Sequence, residues 1–172
     1  MSFVRVRYRI IPERSRLWVE ARSSLHPIKV ETTGVEGFLE VETDPDGQQK
    51  TLRPTTGRVE IDTERLKTGN PLYDRELERR LETRKYSRIR GEVREITGDS
   101  PYRVRGDLSL HGVTRSVDGQ VALRVLDDRT VEVEGERVFD MRDFGLDPPR
   151  ILMLRVYPEV KVRGRVVAER EA

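Results

Sequence analysis

Tyr102–Val125 reads YRVRGDLSLHGVTRSVDGQVALRV. Tyr102, Val104, Gly106, Leu108 and Leu110 share one parity, and Arg103, Arg105, Asp107, Ser109 and His111 share the other. Successive side chains of a strand point to opposite faces, so this run has one apolar face and one wet face. Gly112 breaks the run, Val113 and Thr114 cross a corner, and alternation resumes from Val117 through Val121, Leu123 and Val125. Two long amphipathic strands in series belong to a sheet that buries one side only.

The same pattern extends outward in both directions. Val4 to Ile11 alternates with Arg, and Leu17, Val19 and Ala21 follow a turn at Pro12 to Ser15, as a second strand or as the first continued around a corner. Ile28 to Val30 and Gly34 to Glu42 make extended chain with a kink at Gly37. Asp44-Pro45-Asp46-Gly47 is a turn, and the polar stretch to Thr56 reads as a surface connection. Gly57 to Thr63 and Ser87 to Ile96 are strands with Val59, Ile61, Ile89 and Val93 inward. Val131 to Asp140 is another, its parity slipping near Gly135 as at a bulge. Ile151 to Val156 is almost continuously apolar, which suits a segment covered on both faces, and Val160, Val162, Gly164 and Val166 close the chain.

The period changes once. Asn70 and Pro71 make a cap and a first helical residue, and Tyr73, Leu77 and Leu81 recur four apart among charged neighbours. About eight or nine short strands with tight turns and one helix indicate an all-β sandwich or antiparallel barrel. One apolar and one charged face on nearly every strand favours a single sheet curled around its apolar side. The helix then covers an end or edge. A barrel of about eight strands can be packed solid or hold one small ligand.

A length of 172 residues with no repeat or linker fits one domain, residues 1–172. Net charge is only +2, although 33 residues are Lys or Arg, only five of them Lys. Cysteine is absent, which excludes disulfides, thiolate metal sites and a Cys nucleophile. The first residues alternate instead of forming an apolar block, and no window approaches the roughly 18 apolar residues of a spanning helix. A soluble, unexported, cytoplasmic protein without stable membrane insertion is expected.

Chemistry-bearing residues are sparse. His26 and His111 match no metal-ligand spacing, and each reads more simply as a loop or surface residue. Glu76, Arg79, Arg80, Glu82 and Arg84 read as ion pairing on a solvated helix face. Ser109 and His111 are adjacent in SLHG, but strand alternation puts both on the outer face. No nucleophile elbow and no phosphate-cradling loop is present. The residues call for no enzyme, metal or cofactor. Outward Arg5, Arg7, Arg9, Arg103 and Arg105 raise nucleic-acid binding, but interleaved acids and the lack of stacking aromatics weigh against it.

Gly106-Asp107-Leu108-Ser109-Leu110-His111-Gly112-Val113-Thr114-Arg115 resembles the Gly-x-Leu-x-Leu-x-Gly-Val-Thr-Lys/Arg run of the YceI-like family, the lipocalin-like polyisoprenoid-binding proteins. Ser15 to Val19, Thr68-Gly69-Asn70 with Asp74 and Leu77, and Arg142-Asp143-Phe144-Gly145-Leu146 resemble further blocks of that family, in its order. The likeness spans about Tyr8 to Ala168. One departure concerns the wall: the family's Pro-x-Ile-x-Phe strand is Ser87-Arg88-Ile89-Arg90-Gly91 here, without the Pro and without an inward aromatic.

The resemblance implies a single antiparallel lipocalin-like β-barrel of about eight strands, with the helix over one end and a lumen able to hold an isoprenoid or other lipid chain. From the apolar parity, Leu17, Val19, Leu39, Val59, Ile61, Ile89, Val93, Val104, Leu108 and Leu110 are expected to line it. Val121, Leu123, Val125, Phe139, Leu152 and Leu154 complete the wall, and Tyr73, Leu77 and Leu81 seat the helix on the mouth. The expected role is binding, storage or transport of that chain. The alternative is that the same residues form a filled core, in a stress-related or interaction module. Ligand identity and a homodimer are left open.

Overall fold

The computed structural model describes residues 3–44, 52–151 and 153–171. The strands are β1 (Val4–Ile10), β2 (Arg16–Ser23), β3 (Ile28–Thr32), β4 (Val35–Thr43), β5 (Arg53–Asp62) and β6 (Arg88–Thr97). They continue as β7 (Tyr102–Leu110), β8 (Val113–Val125), β9 (Thr130–Asp140), β10 (Arg150–Ile151) and β11 (Leu154–Arg170), with one helix, α1 (Pro71–Leu81).

Eight of the strands close an antiparallel barrel in the order β1-β4-β5-β6-β7-β8-β9-β11, and β11 returns to β1 through Tyr8↔Arg170 to Ile10↔Ala168. The remaining long edge of β11, from Val156 to Arg165, is taken by β2, which pairs in turn with β3. Thus β1 and β2 are one line of chain broken at a corner. Ser15 satisfies that corner: its hydroxyl donates to the Ile11 carbonyl (2.7 Å) and accepts from the Val167 amide (3.1 Å). Pro158 lies where the β11–β2 register shifts, as expected of a residue with no N–H for the ladder.

Several local expectations change. The β7–β8 corner is only His111-Gly112, with φ of 54° and 74°, and Val113 and Thr114 already belong to β8. Two positive φ values are what a two-residue hairpin turn demands. β5 begins at Arg53, so residues 53–56 are strand and not surface connection. The turn expected at Asp44 to Gly47 lies, from position 45 on, outside the described residues. Ile151, Leu154 and Val156 are buried but Met153 is 90% exposed, so that stretch is not covered on both faces. Leu152 lies outside the described residues.

No bulge interrupts β9, which pairs with β11 in unbroken register from Thr130 to Asp140. Parity only looked slipped because Arg137 stands on the same face as Phe139, while Val138 faces out at 58% exposure. The Arg137 guanidinium lies over the Phe139 ring at 4.5 Å and 3.5 Å from Asp118. It stands where the wall parts. β8 and β9 pair only from Val121↔Gly135 to Val125↔Val131. Beyond that point β8 stays with β7 and β9 with β11. The turn Met141–Phe144 packs against β8 there, and Arg115 Nε donates to the Asp143 carbonyl (2.9 Å).

Candidate functional site

The apolar faces of the strands meet inside the barrel, but they do not fill it evenly. At one end Tyr8, Val41, Val131 and Ala168 form a buried cluster, with Val6, Leu39, Leu52 and Leu123 against it. At the other end, under α1, lies a cavity of about 310 Å³ with an almost wholly apolar lining. That volume is at the small end of the roughly 300–1,000 Å³ of small-molecule pockets.

Each element presents its inward parity to the cavity. β2 and β3 contribute Leu17, Val19, Ala21, Ile28 and Val30; β5 and β6 contribute Ile61 and Ile89; β7 contributes Leu108 and Leu110. Phe139 of β9 and Val156, Val160 and Val162 of β11 complete the wall. Tyr73, Leu77 and Leu81 of α1 form the roof. Met141, Phe144, Leu146, Pro149 and Ile151 close the flank where β8 and β9 part. Among the residues expected from the sequence, Leu39 and Leu123 instead pack on the Tyr8 cluster, and Val125 is 43% exposed. Leu154 is buried but does not line the cavity, and Val59, Val93, Val104 and Val121 are half-buried beyond it. Ile28, Val30, Val160 and Val162 were legible as strand residues. Leu66, Phe144 and Leu146 also line the cavity from turns without periodicity, and only the family-like Arg142–Leu146 block marks the last two in the sequence.

The roof is held by local chemistry. Asn70 caps α1, its Oδ1 accepting from the amides of Leu72 (2.9 Å) and Tyr73 (3.4 Å). Asp74 reaches back to Thr68, its Oδ1 accepting from the amide (2.6 Å) and the hydroxyl (2.7 Å). These bonds are the physical content of the Thr-Gly-Asn…Asp block. At the far end of the helix Glu82 adopts φ 49°, and its carboxylate accepts a 2.6 Å hydrogen bond from His111 Nε2. His111 is therefore no free outer-face residue: it ties the β7–β8 turn to the helix, with Tyr86 edge-on to its ring at 5.0 Å.

Apart from Arg137 on the inward face of β9, the charged groups described here stand at the mouth and on the exterior. Glu76 at the cavity rim meets Arg79 (2.8 Å) and Arg80 (3.0 Å). The Arg79 hydrogen bond, aided by Arg80, holds its carboxyl below the ordinary carboxylate range against the opposing effect of burial. Outside, Arg7 pairs with Glu40, Arg16 with Glu31, Arg58 with Glu92, and Arg90 with Glu60. A larger hollow around Trp18 lies on this charged exterior and is lined by Lys29, Lys67, Lys161, Glu20, Glu31 and Glu136. Among the described residues no group of His, Asp and Glu is placed to hold a metal ion, and no helix is long and apolar enough to cross a membrane.

A closed antiparallel barrel with a helix over one mouth and an apolar hollow beneath it defines the lipocalin-like class of barrels. Within that class, residues 8–168 match the YceI-like domain, and the chain belongs to the YceI-like family. Solved structures share the fold. BcnA of Burkholderia cenocepacia superposes with a TM-score of 0.75 at 16% identity, over 92% of this chain and 99% of that one. A polyisoprenoid-binding domain from Saccharophagus degradans, implicated in plant cell wall breakdown, gives 0.75 at 17% identity, over 96% and 99%. The YceI protein of Campylobacter jejuni gives 0.66 at 14% identity, over 84% and 86%. No curated protein sequence matches the chain.

Proposed function

We propose that this protein is a non-enzymatic carrier that holds one apolar chain, of an isoprenoid or another lipid, in the cavity beneath α1. The observation that carries this reading is the lining itself. About 310 Å³ is lined almost wholly by aliphatic and aromatic side chains, with Glu76, Arg80 and Asp147 the charged residues that border it. Water gains little in such a space, and an apolar chain gains about 0.8 kcal/mol for each methylene taken out of water. Membership of a family with a polyisoprenoid-binding relative supports the same class of ligand. Each buried carbon contributes about 0.8 kcal/mol before the costs of association, so affinity grows with the length of chain held.

The experiment is native mass spectrometry of protein purified without detergent, together with titration by 1-anilinonaphthalene-8-sulfonate. A co-purifying lipid, or saturable probe binding displaced by a long-chain alcohol, is the expected result. Protein that carries no lipid and binds neither probe nor alcohol would sink the carrier reading and leave the barrel as a scaffold for surface interactions.

A further inference from the structure

We propose that the plug of Tyr8, Val41, Val131 and Ala168 sets a chain-length limit, so that the lumen accepts an alkyl or prenyl chain up to the plug and gains nothing from further carbons. This inference rests on the carrier reading. β11 carries both halves of the bore. Val156, Val160 and Val162 line the cavity, and Ala168, six residues beyond Val162 and roughly 20 Å along the strand, belongs to the plug. The plug residues come from β9, β11, β1 and β4, four consecutive strands of the barrel. Register brings them together: Ala168 pairs with Val131 on one side and with Ile10 on the other, and Tyr8 pairs with Leu39. Tyr8, Val41 and Val131 are completely buried, so no water-sized space adjoins them. Of the inward strand residues that line the cavity, Leu17, Val19, Ile61, Ile89, Leu108 and Val162 are only half-buried, although they also point away from solvent.

On the side of β9, β11, β1 and β4 the bore therefore ends in a floor. A chain seated among Leu17, Ile61, Leu108 and Val162 runs toward the plug and ends against it. A longer chain must leave its excess in water at the α1 mouth or push out the Tyr8 ring. The first gains no burial, and the second opens a well-packed floor.

A series of straight-chain alcohols from hexanol to hexadecanol, competing with 1-anilinonaphthalene-8-sulfonate below their solubility limits, reads the floor directly. Affinity is expected to rise about fourfold per carbon while each methylene is buried, and to level off within the series once the chain meets the plug. Tyr8→Leu is expected to move the levelling point to longer chains. Leu123→Ala, which trims a side chain packed on the plug, decides the matter if Tyr8→Leu does not fold. Affinity that climbs unbroken to hexadecanol overturns the limit alone, as does an unchanged levelling point in the folded variants. If no alcohol binds at all, the carrier reading fails and the limit falls with it.

Discussion

Gly91 stands across the β6–β7 ladder from Leu108, and nothing lies within 4 Å of where its side chain would begin. Leu108 lines the cavity, as does Ile89, the preceding inward residue of β6. The missing side chain thus leaves room inside the wall. Gly91→Phe starts from that open space and directs an aromatic ring toward the cavity. Probe affinity should fall tenfold or more, the equivalent of about two methylene groups denied burial. The urea midpoint should hold, because a strand glycine replaced where space is open loses nothing in packing. Unchanged probe binding in a folded Gly91→Phe protein would show that the probe sits elsewhere.

The roof should loosen through Asp74. Both hydrogen bonds from Thr68 end on one Asp74 oxygen, and Asn70 between them caps the helix. Asp74→Ala and Asn70→Ala should each lower stability by about 1–2 kcal/mol. Hydrogen exchange should quicken across Pro71–Leu81 while β7 and β8 keep their protection. Uniform acceleration across the barrel would mean that α1 does not open as a separate unit.

Acid stability should depend on Glu132. Its carboxylate is nearly buried and meets Arg165 (2.9 Å) and Arg124 (3.1 Å). The Arg165 hydrogen bond, with help from Arg124, depresses its pKa although burial opposes this. A depressed carboxylate stabilises the fold above its unfolded pKa of about 4.3, and that contribution is lost as pH falls through the lower folded value. Glu132→Gln should therefore cost about 1–2 kcal/mol at neutral pH, and the gap to the parent should close in acid. Urea melts at neutral pH and below pH 4 check the sign. A gap that widens in acid would contradict it.

Strand alternation made most of this architecture legible, because each strand buries one face only. The helix was legible because a cap, a first-turn proline and a four-residue apolar spacing coincide at Asn70 to Leu81. What stayed hidden depends on neighbours across the barrel. Arg137 looked like a break in parity because a charge on the inward face is readable only once the parting of β8 and β9 is seen beside it. Tyr8 alternates as any inward residue does. Its role as floor comes from Val41, Val131 and Ala168, far away in sequence. Phe144 and Leu146 lie in turns, where no period reports which side chain turns inward.

Gly106 opens the run that resembles the family, and it differs from Gly91 in what surrounds it. A Cβ at Gly106 would lie 2.0 Å from the Glu92 carbonyl oxygen and 2.9 Å from the Val93 Cα. Both are backbone, at the point where the β6–β7 register shifts between Val93 and Glu95. β6 crowds against β7 there, and no rotamer change can relieve the contact. Gly106→Ala must push the two strands apart, at about 3 kcal/mol or more. For a chain of this size that lowers Tm by roughly 6–12 °C. Gly91→Ala, also inward on the neighbouring strand, meets open space and should raise Tm slightly, since glycine in a strand costs about 0.5–1 kcal/mol relative to alanine. Thermal melts of the two variants beside the parent should thus move in opposite directions. A Gly106→Ala protein as stable as the parent would mean that β6 is not pressed onto β7 at this bulge.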